Sequence, residues 1–166
     1  MTTSTTLAAL PSLTQVSTIG ATRPAPTVPA HLLPHRSPTQ LLAIARQGLA
    51  EAMRTKSDGL RYATAHLAAL RAAAAVLAAR ARPEPGRRNR LTSVWSLLTT
   101  VAPELGEWAA FFAASAAKRA AAEAGIPRAV TTQEADDLVR AADLFVEVAA
   151  NSLGLAYQPS FEALAS

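Results

Sequence analysis

The sequence contains no cysteine, which excludes disulfides, thiol catalysis and every Cys-based zinc or iron–sulfur site. Aromatic residues are scarce, at 5% of 166, while half the chain is hydrophobic, chiefly through alanine. Such a composition suits close-packed helices far better than strands, which favour Val, Ile, Thr and Tyr. No uninterrupted apolar run approaches the roughly 18 to 20 residues of a membrane span. The nearest stretch, Leu91 to Ala117, contains Pro103, Glu104 and Glu107. The N-terminus lacks the basic n-region and compact h-region of a secretory signal, so no membrane partner and a cytoplasmic location are expected. There is no Walker loop, dinucleotide fingerprint, nucleophile elbow or metalloprotease helix. Most enzyme classes lose their support, and no cofactor is implied.

What is present is unevenly spread. The formal charge is +4, but residues 1–90 carry twelve Arg or Lys against three acids, and 91–166 carry four against nine. A basic half attracts RNA or DNA, and opposite poles also pair between subunits, so a homodimer is a second candidate assembly. No protein partner is named by the sequence. Acidic residues are absent from residues 1–36, where five prolines fall between Pro11 and Pro34. Without a sustained apolar face, this stretch is expected to form a disordered arm. His31 and His35 would share a helical face there, but Pro34 argues against a helix, and no metal site is expected.

An all-α antiparallel bundle of four to five helices is expected over residues 37–155, with 156–166 as a tail. The first helix opens at Ser37-Pro38-Thr39-Gln40, a cap, a first-turn proline and a capping-box glutamine. Thr55 to Asp58 then links it to a central helix over Ser57 to Arg82. In that helix Leu60, Ala63, Leu67, Leu70, Ala74 and Leu77 recur at steps of three and four, predicting one buried apolar stripe. Pro83 ends the helix. A third helix is expected over Leu91 to Val101. A fourth runs from Pro103 to Ala124, with Trp108, Phe111 and Phe112 in the core. Thr131-Thr132-Gln133-Glu134 offers another capping box for a fifth helix, which turns Leu138, Ala142, Phe145 and Ala149 inward and reaches a C-cap at Gly154.

The densest basic cluster is Arg80, Arg82, Arg87, Arg88 and Arg90, five arginines within eleven residues. These are the candidate nucleic-acid-binding residues, although a solvated corner beside a helix C-terminus accounts for the same charges.

One arrangement with chemical potential remains, Arg61-Tyr62-Ala63-Thr64-Ala65-His66 on the central helix. Five residues correspond to about 140° around a helix, so Arg61 and His66 do not readily converge on one phosphate without a second subunit or a distortion. The capped first helix, RYATAHLAALRAAAAVLAARARP and VWSLLTTVAPELGEWAAFFAASAAKRAAAEAGIP together resemble the actinobacterial SAV-type branch of the HEPN superfamily over roughly residues 38–155. The resemblance implies an all-α bundle that often dimerises. It also implies that members active as metal-independent ribonucleases use an Arg, four to six intervening residues and a His, a spacing Arg61 and His66 satisfy. In that role His66 would exchange a proton with a ribose hydroxyl while Arg61 stabilises phosphate charge. The alternative has His66 at the edge of the apolar stripe near Tyr62. The reading favoured here is a HEPN-like interaction module, non-catalytic and associated with nucleic acid. An endoribonuclease using Arg61 and His66, and a structural partner-binding bundle without a nucleic-acid role, are the alternatives.

Overall fold

The computed structural model describes residues 25–84 and 93–155. Five helices carry the fold: α1 (Pro38–Arg54), α2 (Asp58–Arg80), α3 (Val94–Val101), α4 (Gly106–Glu123) and α5 (Thr132–Ser152). Their starts follow from side-chain chemistry. Ser37 accepts from the Gln40 amide while the Gln40 side chain accepts from the Ser37 amide, and Thr131 and Glu134 repeat that reciprocal pair at α5. Ser57 and Ser93 cap α2 and α3 with one hydrogen bond each. Pro103–Leu105 forms a 3-10 turn that leads into α4. At the end of α5, Gly154 takes φ 68°, and Leu155 N–H closes onto the Ala150 carbonyl at 2.8 Å, the turn only a left-handed residue permits without strain.

The bundle is built around α2, which touches α1, α3, α4 and α5. Its buried residues are mainly alanine: Ala65, Ala68, Ala69, Ala72, Ala73 and Ala75. The predicted leucine stripe is therefore corrected. Leu60 is 58% exposed, Leu67 and Leu70 are half-buried, and only Leu77 of those four leucines is fully enclosed. A helix packed on several sides has inward positions around most of its circumference, so no single stripe describes it. Close approach also selects small residues. A Cβ added to Gly48 of α1 would lie 3.4 Å from the Ala68 Cβ, leaving room there for little more than a methyl group. Larger residues complete the core from the neighbours: Leu42 and Leu49 of α1, Trp95 and Leu98 of α3, Phe112 of α4, and Phe145 and Val146 of α5.

Among the described residues α2 is long and apolar enough by length and composition to cross a membrane, with mean hydropathy 1.3 in its best window, although Arg61 and Arg71 interrupt its apolar run. Of that window 61% is buried inside the fold, as befits a core helix. In addition, residues 25–36 of the expected disordered arm are structured. Thr27–Pro29 (β1) pairs in parallel with Arg82–Glu84 (β2), and Ala30–Leu32 makes a 3-10 turn. Val28, 1% exposed, forms a small second core with Leu77, Leu97 and Val101. That burial supplies the driving force a local reading of the proline-rich segment misses. Residues 1–24 and the tail 156–166 lie outside the described residues.

Candidate functional site

Arg61 and His66 stand on the same helix in unlike surroundings. Arg61 lies in the first turn of α2 with its side chain 12% exposed. Its Nη2 donates to Asp58 Oδ1 at 2.7 Å and lies 3.0 Å from Asp136 Oδ1 of α5. Its Nη1 donates to the carbonyl oxygens of Thr55 at 3.1 Å and Lys56 at 3.4 Å. The guanidinium thus ties the α1–α2 link and the start of α2 to α5. A phosphate reaching it would have to displace the two carboxylates held at Nη2, while Nε is buried without a hydrogen-bond partner.

His66 is entirely buried rather than set at the edge of a stripe. Its Nε2 donates to the Phe112 carbonyl oxygen at 3.0 Å. Since a carbonyl only accepts, the proton sits on Nε2, and Nδ1 is left buried without a hydrogen bond. Trp95 and Phe112 meet the imidazole edge to face, with centroids 5.8 and 5.9 Å away, and stack on each other at 5.1 Å. Phe145 and Trp108 extend the cage. Burial holds the imidazole pKa below its ordinary value, against the opposing pull of the Phe112 hydrogen bond, with smaller opposing influences from Arg119 and Glu123. The ring is therefore a neutral filler of the core, and no 2′-hydroxyl can reach it.

The basic cluster also divides. Arg80 pairs with Glu104, holding that carboxyl below its usual range, and its Nη2 donates to the Ser152 carbonyl at the end of α5 at 3.1 Å. It closes the bundle, as a cation at a helix C-terminus does. Arg82 is exposed in β2. Arg87, Arg88 and Arg90 lie outside the described residues.

Two surface features were not singled out in the sequence. Between α4 and α5 a groove of about 320 Å³ is lined by Tyr62, Phe111, Ala114, Ser115, Lys118 and Leu138 among others. Phe111, expected in the core beside Phe112, is exposed there, and Trp108 is half-buried. Lys118 and Glu134 form an ion pair at the groove, raising the Lys118 pKa and lowering that of Glu134. The core face of α4 is narrow, with Ala109 and Phe112 buried, and Phe111, about 100° around the helix from Phe112, falls outside it. The second feature is a cleft of about 490 Å³ between the first turn of α2 and the α4–α5 loop, lined by Leu60, Ala63, Ala122, Ile126 and Arg128 among others. The Ile126-Pro127-Arg128-Ala129 turn lies just beyond the expected end of the fourth helix at Ala124.

Residues 52–150 match the family model described as HEPN_SAV_6107-like HEPN. The chain belongs to this HEPN family. The matched region spans α2 to α5 and the end of α1, so the strap at 27–32 and most of α1 are outside it. Among its described residues, this HEPN domain has no cluster of three or more His, Asp or Glu side chains placed to hold a metal ion. No curated protein and no solved structure matches the chain.

Proposed function

We propose that this HEPN domain is a non-catalytic interaction module. The observation that carries the reading is the enclosure of His66. The only imidazole at the ribonuclease-like spacing is sealed in an aromatic cage and bonded to backbone, while Arg61 is occupied by Asp58 and Asp136. General acid–base chemistry requires contact with the reacting proton, and this arrangement offers none. Conversely, α4 buries only Ala109 and Phe112 fully and turns Phe111, Ala110, Ala113, Ala114 and Ala117 outward. Self-association through that side would bury this strip of alanines together with Phe111, while Lys118 and Arg119 beside it are already paired with Glu134 and Glu123 and add no unpaired charge. Light scattering of wild type beside Phe111→Asp tests it, with a dimer expected for the former and a monomer for the latter.

The decisive test of the main reading is incubation of RNA with EDTA-treated protein, with His66→Phe as control. No cleavage by either is expected. Metal-free cleavage by wild type that His66→Phe abolishes would overturn the proposal. A second reading, contact with RNA or DNA, is favoured by the exposed Arg82 and by Arg87, Arg88 and Arg90 following it in the sequence. It predicts affinity that falls steeply with salt and weakens on charge reversal at these positions. Salt-independent binding, or none, removes it.

A further inference from the structure

Exposed large apolar side chains are few among the described residues, and two of them share one cleft: Leu60, 58% exposed, and Ile126, 55% exposed, both line the space between the first turn of α2 and the α4–α5 loop. Ala63, Ala122 and Val130 add apolar wall. The charged lining is asymmetric. Asp58 is already engaged by Arg61 and by the Thr132 hydroxyl at 2.8 Å, and Glu123 is engaged by Arg119 at 2.9 Å. Arg128 is the charged residue of this lining that has no intramolecular ion pair among the described residues. It is also held in an unfavourable backbone conformation. Pro127 and Arg128 are the central residues of a turn closed by Ala129 N–H onto the Ile126 carbonyl at 3.3 Å, and Arg128 has φ 58°. Glycine or asparagine is the residue that suits a positive φ at that place in a turn. The sequence there has a cation at a structural cost, beside an apolar surface that none of the described residues covers.

Resting on the reading of this domain as an interaction module, we propose that the cleft docks a peptide segment of a partner protein presenting a leucine-, isoleucine- or valine-type side chain beside a carboxylate. The aliphatic group buries against Leu60, Ile126 and Ala122, and the carboxylate pairs with the Arg128 guanidinium at the rim. The volume suits one or two side chains of a peptide, at the lower part of the roughly 300–1,000 Å³ range of ligand pockets. An acidic partner also matches Arg128, the one cation of the lining and without an ion pair among the described residues, so electrostatics selects the partner and apolar burial holds it.

The test is selection of a random dodecapeptide display library on the full chain, followed by fluorescence polarisation of the enriched peptides. The expected peptides carry Asp, Glu or a terminal carboxylate next to an aliphatic residue. Their affinity falls about tenfold or more in Arg128→Gly and in Leu60→Asp and is unchanged in Leu144→Asp, whose parent side chain is exposed but does not line the cleft. Arg128→Gly separates function from folding, because glycine relieves the left-handed turn. That variant melts no lower than wild type while losing the peptide. Enrichment of peptides without this chemistry, affinity indifferent to Arg128→Gly, or no enrichment overturns the proposal. Peptides lost on Phe111→Asp instead would place docking on α4, ending this proposal but leaving the module reading intact. Metal-free RNA cleavage through His66 would end the module reading itself.

Discussion

Replacing His66 with alanine opens a hole in the middle of the bundle, and the size of the effect separates a core residue from a catalytic one. Truncating a buried ring to alanine costs about 3–5 kcal/mol for Phe or Trp, and imidazole is smaller, so about 3 kcal/mol is expected. The lost hydrogen bond to Phe112 removes a further contribution of about 1 kcal/mol, which loss of the buried, unbonded Nδ1 offsets by a similar amount. His66→Phe keeps an aromatic ring in the cage and makes the same two polar changes, but the larger ring overfills a closed site, so a loss of about 1–3 kcal/mol is expected, smaller than that of alanine. With about 5–15 kcal/mol of total stability to draw on, the alanine variant still folds but melts about 12 °C lower. Urea titration followed by far-ultraviolet circular dichroism reads both differences. A His66→Ala protein as stable as wild type would refute the reasoning, since an enclosed ring cannot be removed without cost.

Acid should act through the same residue. The unfolded imidazole takes up a proton near the ordinary value of 6.5, whereas the folded one resists it because burial lowers its pKa. The unfolded chain therefore binds more protons below that pH, and stability present above 6.5 declines as pH falls toward the folded pKa. Denaturation midpoints between pH 7 and 5 should show the decline in wild type, reduced in His66→Phe. Gly48→Ala should be neutral or stabilising by up to about 1 kcal/mol, since helix propensity improves and the new methyl just meets Ala68. Gly48→Leu should lose about 1–3 kcal/mol through overpacking of α1 against α2, read in the same titration. Val28→Ala should cost about 2 kcal/mol by withdrawing two buried methyl groups from the strap, and an unchanged midpoint would show that β1 contributes no folding energy.

The helix starts were legible because they depend on local chemistry: Ser37 with Gln40, and Thr131 with Glu134, are complete hydrogen-bonding units within four residues. The inward face of α5 was legible for a similar reason, since Leu138, Ala142, Phe145 and Ala149 follow one helical period on a helix packed from one side. On α2 the inward face was not legible because alanine is ambiguous. It is apolar enough to be buried and small enough to be anywhere, so the eye follows leucines that occupy the seams. The strap was hidden because Thr27 meets Arg82 across 55 positions in the chain, a partnership no local window contains. His66 shows both limits together. The Arg61–His66 spacing was visible and its divergence around the helix followed from geometry, but the cage comes from α3, α4 and α5, which only folding assembles.

A central rod lined with methyl groups has a narrow sequence future. At Ala68, Ala72 or Ala73, exchange for glycine loosens the rod and exchange for anything bulkier wedges its companions apart. Divergence among descendants of this chain should therefore accumulate on the outer sides of α4 and α5 and in the loops, while the interior of α2 stays nearly frozen. New binding partners would then be acquired by repainting the periphery around an unchanged shaft.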